Sequence, residues 1–246
     1  MTELLWHCQS VHVSRDEIAN EPGPPRSRKQ KSLVSHYHLL QTVESAVKRR
    51  RFKIGNQVHC RWGEKRQYFG LLELVDADAA SDYSIMLGVQ NSYDGALPTS
   101  LLLGFQVLVS DSLTFFEQHV LNPHDARLTE QNLPQLVGKA MTRLVSERRC
   151  LDERIAAFKA TEITDRIAHD VMIRALDAEV IRAAQLQDVI NEWQMPCHDE
   201  FYDHGRSVWR LFNAFIAGLN RPWPSDILQR SRVLYDLMPG NSPEDD

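Results

Sequence analysis

Between Ile54 and Val109 two clusters of turn-forming residues cut the chain into four short apolar-rich runs, and this punctuation limits its fold more than any other feature. Ile54 to Arg61 and Gln67 to Val75 flank Trp62-Gly63-Glu64-Lys65-Arg66, which reads as a hairpin loop. Tyr83 to Gln90 and Ser100 to Val109 flank Asn91-Ser92-Tyr93-Asp94-Gly95. Asp-Gly marks a turn because both residues tolerate positive φ. Four runs joined by short connections predict a four-stranded antiparallel meander.

Helical spacing brackets this region. Before it, Leu39, Leu40, Val43 and Val47 recur at three- and four-residue intervals behind Ser35, a residue suited to an N-cap. Lys48-Arg49-Arg50-Arg51 falls in the last turn of that helix, where cations complement its dipole. Everything after Leu113 reads as helical, with about five helices. The first opens at Pro134 and runs toward Phe158, and the second is capped by Thr161 or Thr164. The third spans Val180 to Trp193 and stops at Met195-Pro196. Ser207 caps a fourth with Trp209, Leu211, Phe212, Phe215 and Ile216, and Ser225 a fifth with Ile227, Val233 and Leu234. A sheet followed by a run of helices is an α+β arrangement. Pro22-Gly23-Pro24-Pro25 interrupts any regular element, so residues 1–32 are expected to form a flexible or weakly structured arm. Residues 33–238 are expected to form a single α+β domain and 239–246 a disordered acidic tail.

A chain of 246 residues with a 43% hydrophobic fraction buries a core without disulfide staples. Cys8, Cys60, Cys150 and Cys197 form no CxxC or CxxH pair, so paired zinc ligands are missing and no metal is expected. No apolar run reaches the roughly 20 residues of a membrane-spanning helix, and Met1 to Cys8 does not read as a secretory signal. The expected location is the cytoplasm, away from membranes. P-loop, GxGxxG, HExxH and GxSxG signatures are all missing, so no nucleotide cofactor is expected. No cofactor is implied at all, and the balance leans against an enzyme.

The formal charge of −5 hides an asymmetry. Residues 26–66 contain twelve Lys or Arg and two acids, Glu44 and Glu64, a formal +10 that leaves −15 for the rest. Phosphate neutralisation by Lys and Arg dominates nucleic-acid affinity, so this segment is a candidate polyanion surface. Its candidate contacts are Arg49, Arg50, Arg51, Lys53, Arg61, Lys65 and Arg66, with Trp62 placed to stack on a base. Tyr37, Phe52, Tyr68 and Phe69 lie within or beside the segment and serve equally well as core. The plainer account of the whole run is a solvated face.

Other candidates are weaker. Asn91, Ser92 and Asp94, with His36, make a possible polar site, although turn chemistry alone explains the first three. Cys197, His198, Asp199, Asp203 and His204 are dense in potential ligands but lack zinc spacing. His119 and His124 bracket Asn122-Pro123 in an expected loop, and Asn213 sits in an apolar helix where its amide needs a partner.

With these stretches in view, the chain resembles the phage- and plasmid-associated family catalogued as domain of unknown function 932, over roughly Val34 to Met238. The resemblance rests on Ser35-His36, on Asn91-Ser92-Tyr93-Asp94 followed by Leu97-Pro98, and on Gly104-Phe105-Gln106-Val107-Leu108-Val109-Ser110. It also rests on Trp209-Arg210-Leu211-Phe212-Asn213-Ala214. Where the family often shows Cys-x-Asn after its last strand, Ser110-Asp111-Ser112 stands here. The resemblance implies a role on a mobile element, in replication, recombination or defence conflict, and it carries over no catalytic residue. Three functions follow as expectations. One is an accessory protein that binds nucleic acid through the basic helix and hairpin. The second is an interaction module acting on an acidic host protein, and the third a metal-assisted enzyme around His36, Asn91, Ser92 and Asp94.

Overall fold

The computed structural model of the chain describes residues 11–24, 34–75, 83–108, 112–121, 128–219 and 224–240. The fold is α+β. A six-stranded sheet comprises β1 (Val11–Val13), β2 (Lys53–Trp62), β3 (Gln67–Val75), β4 (Tyr83–Ser92), β5 (Ser100–Val107) and β6 (Ser112–Val120), in the order β1-β2-β3-β4-β5-β6. Two helices, α1 (Arg15–Ala19) and α2 (His36–Arg49), precede β2. After the sheet come α3 (Leu133–Ala160), α4 (Asp165–Asp177), α5 (Ala183–Gln194), α6 (Glu200–Asp203), α7 (Val208–Gly218) and α8 (Pro224–Leu237).

The four predicted strands are present and two more flank them. β1 is only three residues long and lies in the stretch expected to be an arm. β6 corrects the helical reading of the chain after Leu113. Leu113, Thr114, Phe115 and Phe116 are all buried, and an apolar run covered on both sides has no period that separates strand from helix. The one helix after the sheet beyond the five expected, α6, is four residues inside the expected loop after Pro196. No helix of the described residues is long and apolar enough to cross a membrane.

Two compact units divide the chain, one within residues 1–106 and 117–146, the other within 107–116 and 147–246. In the first, α2 lies against the sheet. Leu39, Leu40, Val43, Ala46 and Val47 are fully buried along one stripe, as the helical spacing predicts. Ser35 caps α2 by accepting from the His38 N–H at 3.0 Å. The cross-strand registers Arg61↔Tyr68↔Asn91 and His59↔Gly70↔Val89 align residues on one face of the sheet, while Trp62↔Gln67↔Ser92 lie on the other. β2 extends one residue beyond expectation to Trp62, and the turn is Gly63–Arg66, closed by the Arg66 N–H to the Gly63 carbonyl at 3.1 Å. Glu64 and Lys65, its central residues, both have positive φ, 55° and 68°, the mark of a type I′ hairpin turn.

The second unit is held by an aromatic cluster. Phe158 packs against Phe212 and Tyr235, with ring centroids 5.8 and 5.7 Å apart, and the Arg154 guanidinium lies 3.6 Å over the Tyr235 ring. Thr164 and Ser207 cap α4 and α7. The segments leading into those helices are zipped together by Ile163 N–H to the Arg206 carbonyl and Val208 N–H to the Thr161 carbonyl, 2.8 and 2.9 Å. Asn213 donates to the Trp209 carbonyl one turn back, at 2.8 Å, which gives its amide N–H a partner, while its Oδ1 is buried with no hydrogen bond among the described residues. The described part of α8 begins at Pro224; the side chains of Ser225 and Ile227 lie outside the described residues.

Candidate nucleic-acid interface and polar site

The basic residues that are adjacent in sequence separate in space because β2 runs between them. Nine residue steps at about 3.3 Å each place Lys53 and Trp62 about 30 Å apart. Arg49, Arg50, Arg51 and Lys53 therefore sit at one end of β2, with Lys65 and Arg66 in the turn at the other. Arg26, Arg28, Lys29 and Lys31 lie outside the described residues.

Not all of the eight candidates are free to meet a ligand. Arg50 is half-buried. Its Nη2 donates to the Gly138 carbonyl and to Thr142 Oγ1, both at 2.7 Å, tying the end of α2 to α3. Burial, followed by the like charge of Arg49, lowers the pKa of its guanidinium. Arg61 is also half-buried and pairs with Glu21. Arg66 pairs with Glu64 at 3.2 Å, but both are exposed, and such surface pairs contribute little. Lys48, Arg49, Arg51 and Lys53 are exposed and form no ion pair among the described residues, and the same holds for Lys65. Trp62 is half-buried at the last position of β2. Tyr68 and Phe69 are fully buried core, while Tyr37, Phe52 and Trp62 are half-buried, Tyr37 with the Arg15 guanidinium 5.2 Å over its ring.

His36, Asn91, Ser92 and Asp94 separate into two pairs, His36 with Asn91 and Ser92 with Asp94. Asn91 and Ser92 are strand residues of β4 rather than turn residues, so their side chains point to opposite faces. Asn91 is fully buried beneath the start of α2. Its amide donates to the Val34 carbonyl at 3.1 Å and lies 3.0 Å from His36 Nδ1, and its oxygen accepts from Thr99 Oγ1 at 2.8 Å. With an amide N–H directed at Nδ1, the His36 proton belongs on Nε2, which lies 3.3 Å from the Lys65 carbonyl. The imidazole stacks on Tyr93, centroids 4.0 Å apart and rings 4° from parallel, and the Tyr93 hydroxyl accepts from the His36 N–H at 2.9 Å. Burial pushes His36 down to about 4, with the Lys65 carbonyl opposing, and pushes Tyr93 up to about 12.

On the opposite face, Ser92 Oγ donates to Asp94 Oδ1, the Ala96 N–H donates to the same oxygen at 3.0 Å, and Gln67 Nε2 donates to Oδ2 at 3.1 Å. Burial raises the Asp94 carboxyl pKa, but these bonds outweigh it and hold it below the usual range. No hydrogen bond or ion pair joins His36 to Asp94 among the described residues. The two groups are structural: one pins the α2 start and the hairpin turn to the sheet, the other closes the β4–β5 turn.

The ligand-rich run from Cys197 to His204 does not gather either. Among the described residues no three His, Cys, Asp or Glu side chains are grouped as a metal site requires. His119 is a β6 residue, and His124 lies outside the described residues. Among the buried polar residues that the sequence reading did not single out is His59. His59, 4% exposed, lies opposite Gly70, and its Nδ1 is 3.0 Å from the Tyr68 hydroxyl. Burial pushes His59 down to about 4, Glu44 opposing and Arg15 and His12 adding to the fall. Only the register of β2 on β3 reveals this pairing. No family model, curated protein or solved structure matches the chain.

Proposed function

We propose that this chain is a mobile-element accessory protein that binds nucleic acid through the basic corner where α2 ends and β2 begins. The observation that carries the reading is the corner itself: Lys48, Arg49, Arg51 and Lys53, exposed within six residues and free of ion pairs among the described residues, in a chain of net charge −5. Arg50 belongs to the scaffold of that corner rather than to the contact. Lys65, Arg66 and Trp62 form a second contact about 30 Å away, reached only by a ligand long enough to span β2. The mobile-element setting rests on the resemblance of the four sequence blocks described above.

The test is fluorescence anisotropy with a 20-mer, single-stranded and duplex, over a salt series. Four phosphates neutralised by the corner give a slope of log K on log salt of about −3.6 for duplex and about −2.8 for a single strand. Arg49→Glu, Arg51→Glu and Lys53→Glu together should abolish binding while the far-UV circular dichroism stays unchanged. Unaltered affinity in the folded triple variant refutes the reading.

A further inference from the structure

Arg50 ties the end of α2 to α3, and each of the two positions it holds is followed by an exposed cation. Its Nη2 donates to the Gly138 carbonyl and to Thr142 Oγ1, both at 2.7 Å. Lys139 and Arg143 are the next residues along α3, so the same two bonds bring their backbones beside the Arg50 guanidinium. Four residues of helix set this pair about 6 Å apart along the axis, on one stripe of α3. Both side chains are exposed, and neither forms an ion pair among the described residues. A Cβ at Gly138 would meet nothing within 4 Å, so the surface next to the Arg50 contact is open. Residues 138–143 belong to the same compact unit as α2 and β2.

The basic corner thus continues onto a second element, and it does so without admitting an acid. Residues 45–63 and 131–146 contain no Asp or Glu. The acids bordering this surface are accounted for. Glu44 is held by Arg15 at 2.8 Å, and Glu73, on the strand beside Lys53, accepts from Asn56 and Ser84, both at 2.8 Å. Glu130 and Glu147 lie outside the acid-free stretch of α3, at its two ends. Arg50 itself adds a charge that a carbonyl and a hydroxyl do not neutralise. Cations gathered this closely repel one another, and a polyanion relieves the repulsion.

The same surface offers little for a base to stack on. Residues 131–146 contain no aromatic side chain, and Phe52 at the corner is half-buried. Single-strand sites combine charge with aromatic platforms, whereas a duplex backbone is held by charge.

We propose that α3 completes the nucleic-acid site, with Lys139 and Arg143 joining Lys48, Arg49, Arg51 and Lys53 to neutralise about six phosphates of a duplex whatever its sequence. The inference rests on the corner reading; it adds a second element to the site and selects duplex over single strand.

Fluorescence anisotropy of labelled 20-mers with the full chain tests it. Six phosphates give a slope of log K on log salt of about −5.4 for duplex, against about −3.6 for the corner alone. Duplex affinity should then fall about 2,000-fold between 50 and 200 mM salt, rather than about 150-fold. Lys139→Gln with Arg143→Gln should return the slope to about −3.6, while Lys139→Arg with Arg143→Lys should keep it at about −5.4. Both positions are exposed, so neither double variant should move the urea midpoint. A duplex of shuffled sequence should bind within about twofold of the first, and the single strand more weakly. A glutamine double variant that binds and responds to salt as the wild type does overturns the proposal and leaves the corner reading standing. So does a single strand that binds as tightly as the duplex. A wild-type chain that binds neither 20-mer overturns both.

Discussion

Lowering the pH from 7 to 5 should cost this protein about 4 kcal/mol of stability through two buried histidines. His36 is 1% exposed and His59 4%, and burial holds both near 4 in the folded chain. Unfolded, each returns to about 6.5. A histidine whose folded pKa is depressed is a neutral group in the native state and a proton acceptor in the unfolded one. Its contribution is fully present above pH 6.5, falls as the pH drops through 6.5, and levels off only below 4. Linkage over the interval from 7 to 5 gives about 2 kcal/mol per histidine, set against total stabilities of about 5–15 kcal/mol. The hydrogen-bond geometry argues the same way for His36, because protonating Nδ1 would set an N–H against the Asn91 amide donor. The depressed carboxyls of Asp94 and Glu17 lose their contributions at lower pH still, so this window isolates the imidazoles. Urea unfolding at pH 7, 6 and 5 measures the loss, with ring NMR to assign it. A change under about 1 kcal/mol, or either ring protonating above about pH 6 in the folded chain, would refute the reasoning.

Three further outcomes follow from named contacts. Arg50→Ala should destabilise by about 1–3 kcal/mol in urea titration, since it strips hydrogen bonds from the Gly138 carbonyl and Thr142, whereas Arg49→Ala should stay within about 0.5 kcal/mol. Gly70→Ala should cost about 1–3 kcal/mol, because its methyl group collides with the Tyr68–His59 pair, and it should perturb the His59 ring resonances. Lys65→Gly should raise the melting temperature, relieving about 1 kcal/mol of left-handed strain at φ 68° while keeping the type I′ turn.

Features decided within a few residues were legible in the sequence. Ser35, Thr164 and Ser207 cap their helices as expected, because a cap needs only a side-chain oxygen and an N–H two or three positions later. The four central strands were legible from their turns. β1 was not, because three residues give no period, and β6 was not, because Leu113 to Phe116 are covered on both faces.

The functional candidates depended on non-local facts. A run of twelve cations looks like one surface until a strand rising about 3.3 Å per residue is drawn through it and carries Lys65 some 30 Å from Lys53. The same pleat sends Asn91 and Ser92 to opposite faces, so the candidate quartet with His36 and Asp94 becomes two separate braces. It also works in reverse. Cross-strand register lines up His59 with Gly70, seats Tyr68 opposite Asn91, and thereby stacks the buried polar groups beneath α2. Those pairings join residues from nine to fifty-five positions apart. Side chains that are distant in the chain thus share one desolvated layer, and their ionisation is coupled to folding of the sheet as a whole. A disturbance at any one register position, Gly70 above all, should therefore be felt at His59.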